Sequence, residues 1–194
     1  MGKGRLEAFS DGVLAIIITI MVLELKVPHG DNLASLKPLL PIALSYMLSF
    51  IYIGIYWNNH HHMFQAVQHI NGKVMWANMH LLFWLSLIPF ASGWMGENHF
   101  STWPVAIYGT MLFMAAVAYH ILAGALIKVH GKDSKIAAAI GKDKKGILSI
   151  AIYLIGIVMC FVNAWIGFGL YVFVAAIWFL PDRRIENKIV EKNT

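Results

Sequence analysis

The chain has 194 residues, of which 59% are hydrophobic and 13% charged, and its mean hydropathy is +0.65. So few polar groups cannot coat a water-soluble surface, which excludes a soluble domain or soluble enzyme and makes this an integral membrane protein. The formal net charge is +5, and what that charge means depends on where the basic residues fall along the chain.

The first apolar run, EAFSDGVLAIIITIMVLELKVP, predicts a span over 6–28. No small-residue cleavage site follows it, so it reads as a retained helix and not a signal peptide. At 100° per residue, Ile16, Ile20, Leu23 and Val27 share one stripe within about 40°, with Phe9 on the same line and Val13 near its edge. Thr19 lies about 60° from the stripe and Glu24 about 80° away on the other flank. Ser10 and Asp11 point to the other side. A carboxylate at the mouth of an apolar run needs a hydrogen-bond partner or an interfacial location. Two readings stand: Ser10 and Asp11 cap a helix that starts there, or Asp11 accepts hydrogen bonds from other helices. The stripe likewise reads as lipid contact, helix packing or pore lining.

A second span is expected over 36–57 and a third over 74–95, with the polar stretch WNNHHHMFQAVQH between them. Nine histidines invite a metal or haem reading. The spacing argues against one, because His60, His61 and His62 project in three directions from a helix and no His-Glu-x-x-His pattern occurs. The expectation is no metal and no cofactor. These histidines, with Asn78 and His80, are instead the candidate donors to Asp11.

The remaining spans are expected over 103–127, 146–163 and 165–181. The last two are separated only around Asn163 to Gly167, so one re-entrant hairpin is the alternative. Cys160 is the single cysteine and can form no intrachain disulfide. With six spans and both termini inside, Lys3, Arg5, Lys73, Lys128, Lys132, Lys135, Lys142, Lys144, Lys145, Arg183, Arg184, Lys188 and Lys192 are cytoplasmic, and only Lys26 and Lys37 are outside. That split, 13 against 2 of the 15 basic residues, decides for six. The loop HGKDSKIAAAIGKDKKG, His130 to Gly146, reads as a cytoplasmic loop. Its lysines lack the interleaved aromatics of a nucleic-acid surface.

The segment RLEAFSDGVLAIIIT, Arg5 to Thr19, resembles the arginine-to-phenylalanine-serine-aspartate signature of the transmembrane protein 175 family of potassium channels in its short prokaryotic form. The histidine stretch after Trp57 and NMHLLFWLSLIPFASGWMG in the third span resemble the same family, so the likeness covers residues 5–30 and 57–96. It implies an all-α, polytopic membrane protein forming a single six-helix domain over 1–194, located in the cell membrane and assembled as a homotetramer around a pore lined by helix 1. It further implies a polar network at the cytoplasmic helix ends from Arg5, Phe9, Ser10, Asp11, Trp57, His60, His61, Asn78 and His80. The implied apolar constriction is Ile16, Ile20 and Leu23, with Thr19 associated with selectivity. The implied partners are a second copy of the chain, membrane lipid, potassium and other monovalent cations.

No Thr-Val-Gly-Tyr-Gly carbonyl filter is present, so selectivity must arise otherwise. No helix carries arginine at every third position, and steep voltage gating is not expected. A proton-coupled secondary transporter is the competing class, although no internal repeat is visible.

Overall fold

A computed structural model describes residues 2–131, 133–141 and 143–179. Helix α1 spans Lys3–Val22 and a 3-10 turn spans Leu33–Leu39. They are followed by α2 (Leu40–Gln65), α3 (Gly72–Ser86), α4 (Ile88–Glu97) and α5 (Thr102–His130), and then by α6 (Lys135–Ile140), α7 (Lys144–Cys160) and α8 (Ala164–Phe179). The described residues contain no strand.

Local chemistry explains where these helices stop. Helix α1 ends at Val22, earlier than the expected 28, because the amides of Leu23, Glu24 and Leu25 turn back to the carbonyls of Ile20, Met21 and Val22. Such three-residue bonds close a helix rather than extend it. Helix α2 begins at Leu40 after a turn capped by the Asn32 side chain, which accepts from the Ser35 amide. Its early Pro41 costs no hydrogen bond at that position. The helix then runs on to Gln65, so the WNNHHH segment is helical and not a connection beyond residue 57. Helices α3 and α4 meet at Leu87, two residues before Pro89, whose missing N–H and ring interrupt the ladder. Together they form one broken element, Gly72–Glu97.

Among the described residues, three elements are long and apolar enough to cross a membrane: Leu33–Gln65, Gly72–Glu97 and Thr102–His130. Helix α1 carries Lys3, Arg5, Glu7 and Asp11. Helices α7 and α8 have 17 and 16 residues, which at 1.5 Å per residue span about 25 Å against a hydrocarbon core of about 30 Å. The end of the expected last span, 180–181, lies outside the described residues, as do Lys132, Lys142 and the basic residues from Arg183 onward.

Helix α5 forms the centre of the bundle and packs against α3, α4, α7 and α8. Its buried Val105, Tyr108, Leu112, Ala115, Leu122 and Leu126 follow the helical period and form the seam. Helices α7 and α8 are two separate helices joined by three residues, with the Asn163 side chain accepting from the Trp165 amide at the start of α8. They cross closely at Gly167, where any Cβ would collide with Cys160 Sγ and the Gly156 carbonyl. Helix α1 lies against α2, α3 and α4 at the side of the bundle.

Candidate functional site

The two faces of α1 differ in what covers them. Leu6, Ser10, Leu14, Ile17 and Met21 are buried against the chain's own helices. Ile16 and Ile20 are 58% and 45% exposed, Phe9 is also exposed, and Leu23, the residue that caps the helix end, is 74% exposed. The stripe read from periodicity is therefore the face of α1 that the other described residues leave uncovered. Thr19 flanks it, also exposed, and its hydroxyl donates to the Ile16 carbonyl at 2.9 Å, satisfying the side chain within its own helix.

Ser10 and Asp11 part company. Being one residue apart they point about 100° from each other, and Ser10 enters the core while Asp11 stays at the surface. Asn78 Nδ2 of α3 donates to Ser10 Oγ at 2.9 Å, and Ser10 Oγ donates to the Leu6 carbonyl at 2.9 Å. His60 Nε2 of α2 lies 2.8 Å from Asn78 Oδ1. Because that oxygen can only accept, His60 carries its proton on Nε2. The imidazole stacks on Phe64 with centroids 4.4 Å apart. Ser10, His60 and Asn78 are 0%, 2% and 0% exposed. A single buried chain of hydrogen bonds thus ties α1, α2 and α3 together. Its members satisfy one another, which is the condition for burying polar groups in an apolar bundle.

Asp11 has a different partner from the histidines and asparagines expected for it. Trp57 Nε1 donates to Asp11 Oδ1 at 3.1 Å on the exposed side of the α1–α2 seam. His61 stacks against the Trp57 indole at 6.0 Å and 18°, and bonds Gln65 through Nε2 at 2.9 Å. His80 stands apart from the network and accepts from Trp84 Nε1 at 2.9 Å within its own helix. Arg5 is exposed, and its amide donates to the Gly2 carbonyl at 3.2 Å. No group of three or more His, Cys, Asp or Glu side chains suited to a metal occurs among the described residues.

The sequence reading missed a second polar cluster deeper in the bundle. Ser49 Oγ donates to the Ser45 carbonyl at 2.8 Å and lies 2.9 Å from Ser92 Oγ and 3.0 Å from the Tyr108 hydroxyl. Tyr52 donates to the Tyr171 carbonyl at 2.6 Å. The signal was available: Ser45, Ser49, Tyr52, Tyr56 and His60 recur at three- and four-residue spacing along one face of α2.

The sequence profile of the family described as "Endosomal/lysosomal potassium channel TMEM175" matches residues 5–89. A protein of Chryseobacterium sp. (strain P1-3) named as a potassium channel is 57% identical over 191 residues, 98% of this chain and 100% of its own length. The chain belongs to the TMEM175 family. A Chamaesiphon minutus protein named as a potassium channel is 30% identical over 91% of this chain and 92% of its own length. The crystal structure of a lysosomal potassium-selective channel TMEM175 homolog from the same organism superposes with a TM-score of 0.79 at 28% identity, covering 92% of this chain and 96% of the other. The zebrafish Danio rerio endosomal/lysosomal proton channel TMEM175 is 29% identical over 66% of this chain, which spans 24% of its length. The TMEM175 match contains all of Ser10, Asp11, Trp57, His60 and Asn78, the residues whose hydrogen bonds join the first three helices.

Proposed function

We propose that this TMEM175 protein is a potassium-permeable cation channel in the cell membrane: four copies surround a central pore, and each contributes the uncovered face of α1. The observation that carries this reading is the division of α1 into a face pinned to its own bundle and an apolar face bearing Ile16, Ile20 and, at the helix end, Leu23 that none of the described residues buries. The relatives named as potassium channels over nearly the whole chain support the ion. On this reading the protomer is one six-span domain. The termini and the His130 to Gly146 loop are cytoplasmic, in keeping with the 13-to-2 division of basic residues.

Four branched side chains around an axis exclude water, so the barrier at Ile16 and Ile20 is the lost hydration of the ion. Such a constriction supplies no oxygens to replace a hydration shell, and discrimination between monovalent cations is correspondingly modest. Thr19 sits one turn into the constriction, and its hydroxyl is the nearest side-chain oxygen the stripe offers. The Ser10–Asn78–His60 chain and the Trp57–Asp11 bond act behind the pore: they fix the rotation of α1, and so which face the axis meets. On this reading conduction needs no cofactor.

The test is ion flux from purified protein in liposomes, with potassium, sodium and proton gradients imposed separately. Dissipation of a potassium gradient without a counter-gradient is expected. Flux that appears only when a proton gradient drives it would replace the channel with a coupled transporter.

A further inference from the structure

A ring of apolar side chains raises the same dehydration barrier against a cation and an anion, so the stripe of α1 excludes water without choosing the sign of the charge that passes. A charge that makes the choice lies one residue beyond the stripe. Glu24 follows Leu23 directly, just past the end of α1 at Val22. It is half-buried, and its side chain packs against α4 at Gly93, where a Cβ would come within 3.3 Å of Glu24 Cδ and Oε2.

The carboxylate so placed keeps its charge uncompensated. Lys26, the basic residue nearest to it in sequence, is engaged with Glu97 Oε1 at 3.3 Å. Among the described residues the Glu24 carboxylate accepts no hydrogen bond and enters no ion pair. The acids at the other end of α1 differ, since Glu7 lies 4.0 Å from Lys3 Nζ and Asp11 accepts from Trp57. The surroundings of Glu24 do not reverse its sign either: the chain from 23 to 37 and from 97 to 101 carries Glu24, Asp31 and Glu97 against Lys26 and Lys37.

We infer that Glu24 sets the charge preference of the channel: its four copies ring the outer mouth, draw cations to the entrance of the apolar constriction and keep anions out. The inference rests on the reading of α1 as the pore helix of a tetramer. With a helix radius of about 5–6 Å, a residue on the flank of the pore-facing stripe holds its charge roughly 9 Å from the axis. Four unit charges at that distance, in water and screened by salt, enrich cations at the axis about tenfold at 0.01 M ionic strength, about threefold at 0.1 M and hardly at all at 1 M.

The experiment records the full chain in planar bilayers, with KCl varied on the outer side alone. Glu24→Gln removes the charge and keeps the shape packed against Gly93. Its inward potassium current should be lower than that of the unaltered protein by about tenfold at 0.01 M KCl and about threefold at 0.1 M, and equal to it at 1 M; its reversal potential in a KCl gradient should move toward that of chloride. Glu24→Cys gives the second test, because the native Cys160 is buried. Modification from outside with a sulfonatoethyl methanethiosulfonate should restore the current at low salt, and the trimethylammonioethyl reagent should depress it further. A deficit in Glu24→Gln that persists undiminished at 1 M KCl, unaltered current at 0.01 M, or equal effects of the two reagents would each overturn the role of Glu24. The pore reading fails separately: unchanged leak in Ile16→Asn and Ile20→Asn would overturn both, whereas raised leak in those variants beside a salt-insensitive Glu24→Gln would overturn this inference alone.

Discussion

Asn78 is the joint of the three-helix network, and Asn78→Leu is the substitution that tests it. Leucine keeps the branched shape and the number of heavy atoms, so the main perturbation is the loss of two hydrogen bonds, from Asn78 Nδ2 to Ser10 Oγ at 2.9 Å and from His60 Nε2 to Asn78 Oδ1 at 2.8 Å. Interhelical bonds of this type in membrane bundles contribute about 0.6 kcal/mol on average and up to about 1.7 kcal/mol. Ser10 keeps its bond to the Leu6 carbonyl, whereas the His60 N–H is left buried without an acceptor, which adds about 1–3 kcal/mol. The expected cost is about 2–4 kcal/mol. His60→Leu removes the donor instead, and the double variant leaves no orphaned group on that bond, so it should be less destabilised than the two single losses added together by about 1–2 kcal/mol. Survival of the assembled protein after heating, read by size-exclusion chromatography with fluorescence detection, gives the ranking. Reversible unfolding in mixed micelles gives the free energies. Simple additivity of the two single variants would show that His60 and Asn78 do not act as a pair and would refute the account of α1 as a helix held in one rotation by buried hydrogen bonds.

Ile16→Asn and Ile20→Asn should each raise leak current in planar bilayers, while Val158→Asn, on a residue of α7 that is 61% exposed, should leave it unchanged; equal currents in all three at matched incorporation would remove α1 from the pore. Ile17 is unsuitable as the control because it is buried, and Ile17→Asn should destabilise the protomer by several kcal/mol. Trp57→Phe deletes a single exposed hydrogen bond to Asp11 and should cost about 1 kcal/mol or less in stability while altering open probability in single-channel records; unaltered gating would make the bond incidental. His130 Nε2 accepts from the amides of Gln68 and His69 at 3.0 and 3.2 Å, so His130→Ala should speed hydrogen exchange at those two amides by about fivefold for each 1 kcal/mol of lost bond, a change that mass spectrometry of the 66–71 peptide detects or excludes. A cysteine in place of Ser134 should react with membrane-permeant but not impermeant reagents in intact cells; labelling from outside would invert the topology.

Composition alone determined that this chain is a membrane protein, because solvation of an apolar surface is a sum over residues and needs no geometry. Periodicity determined the stripe of Ile16, Ile20 and Leu23, since the angle between residues on one helix is fixed by the backbone. The residues of the polar network were also legible, as serine, asparagine and histidine cannot sit unpaired in an apolar span. Their pairing was not legible. Whether Asp11 meets a histidine or Trp57, and whether Ser10 faces with Asp11 or away from it into the core, depends on how far α1 is rotated against α2 and α3, and side-chain packing between helices sets that rotation. The same limit explains His80, which bonds Trp84 four residues along its own helix rather than joining the network. It also explains the small pocket between α2, α5, α7 and α8, whose lining comes from residues as far apart as Tyr52 and Trp178. A helix carries its own period in its sequence, but the neighbour each face meets is decided only when the bundle closes.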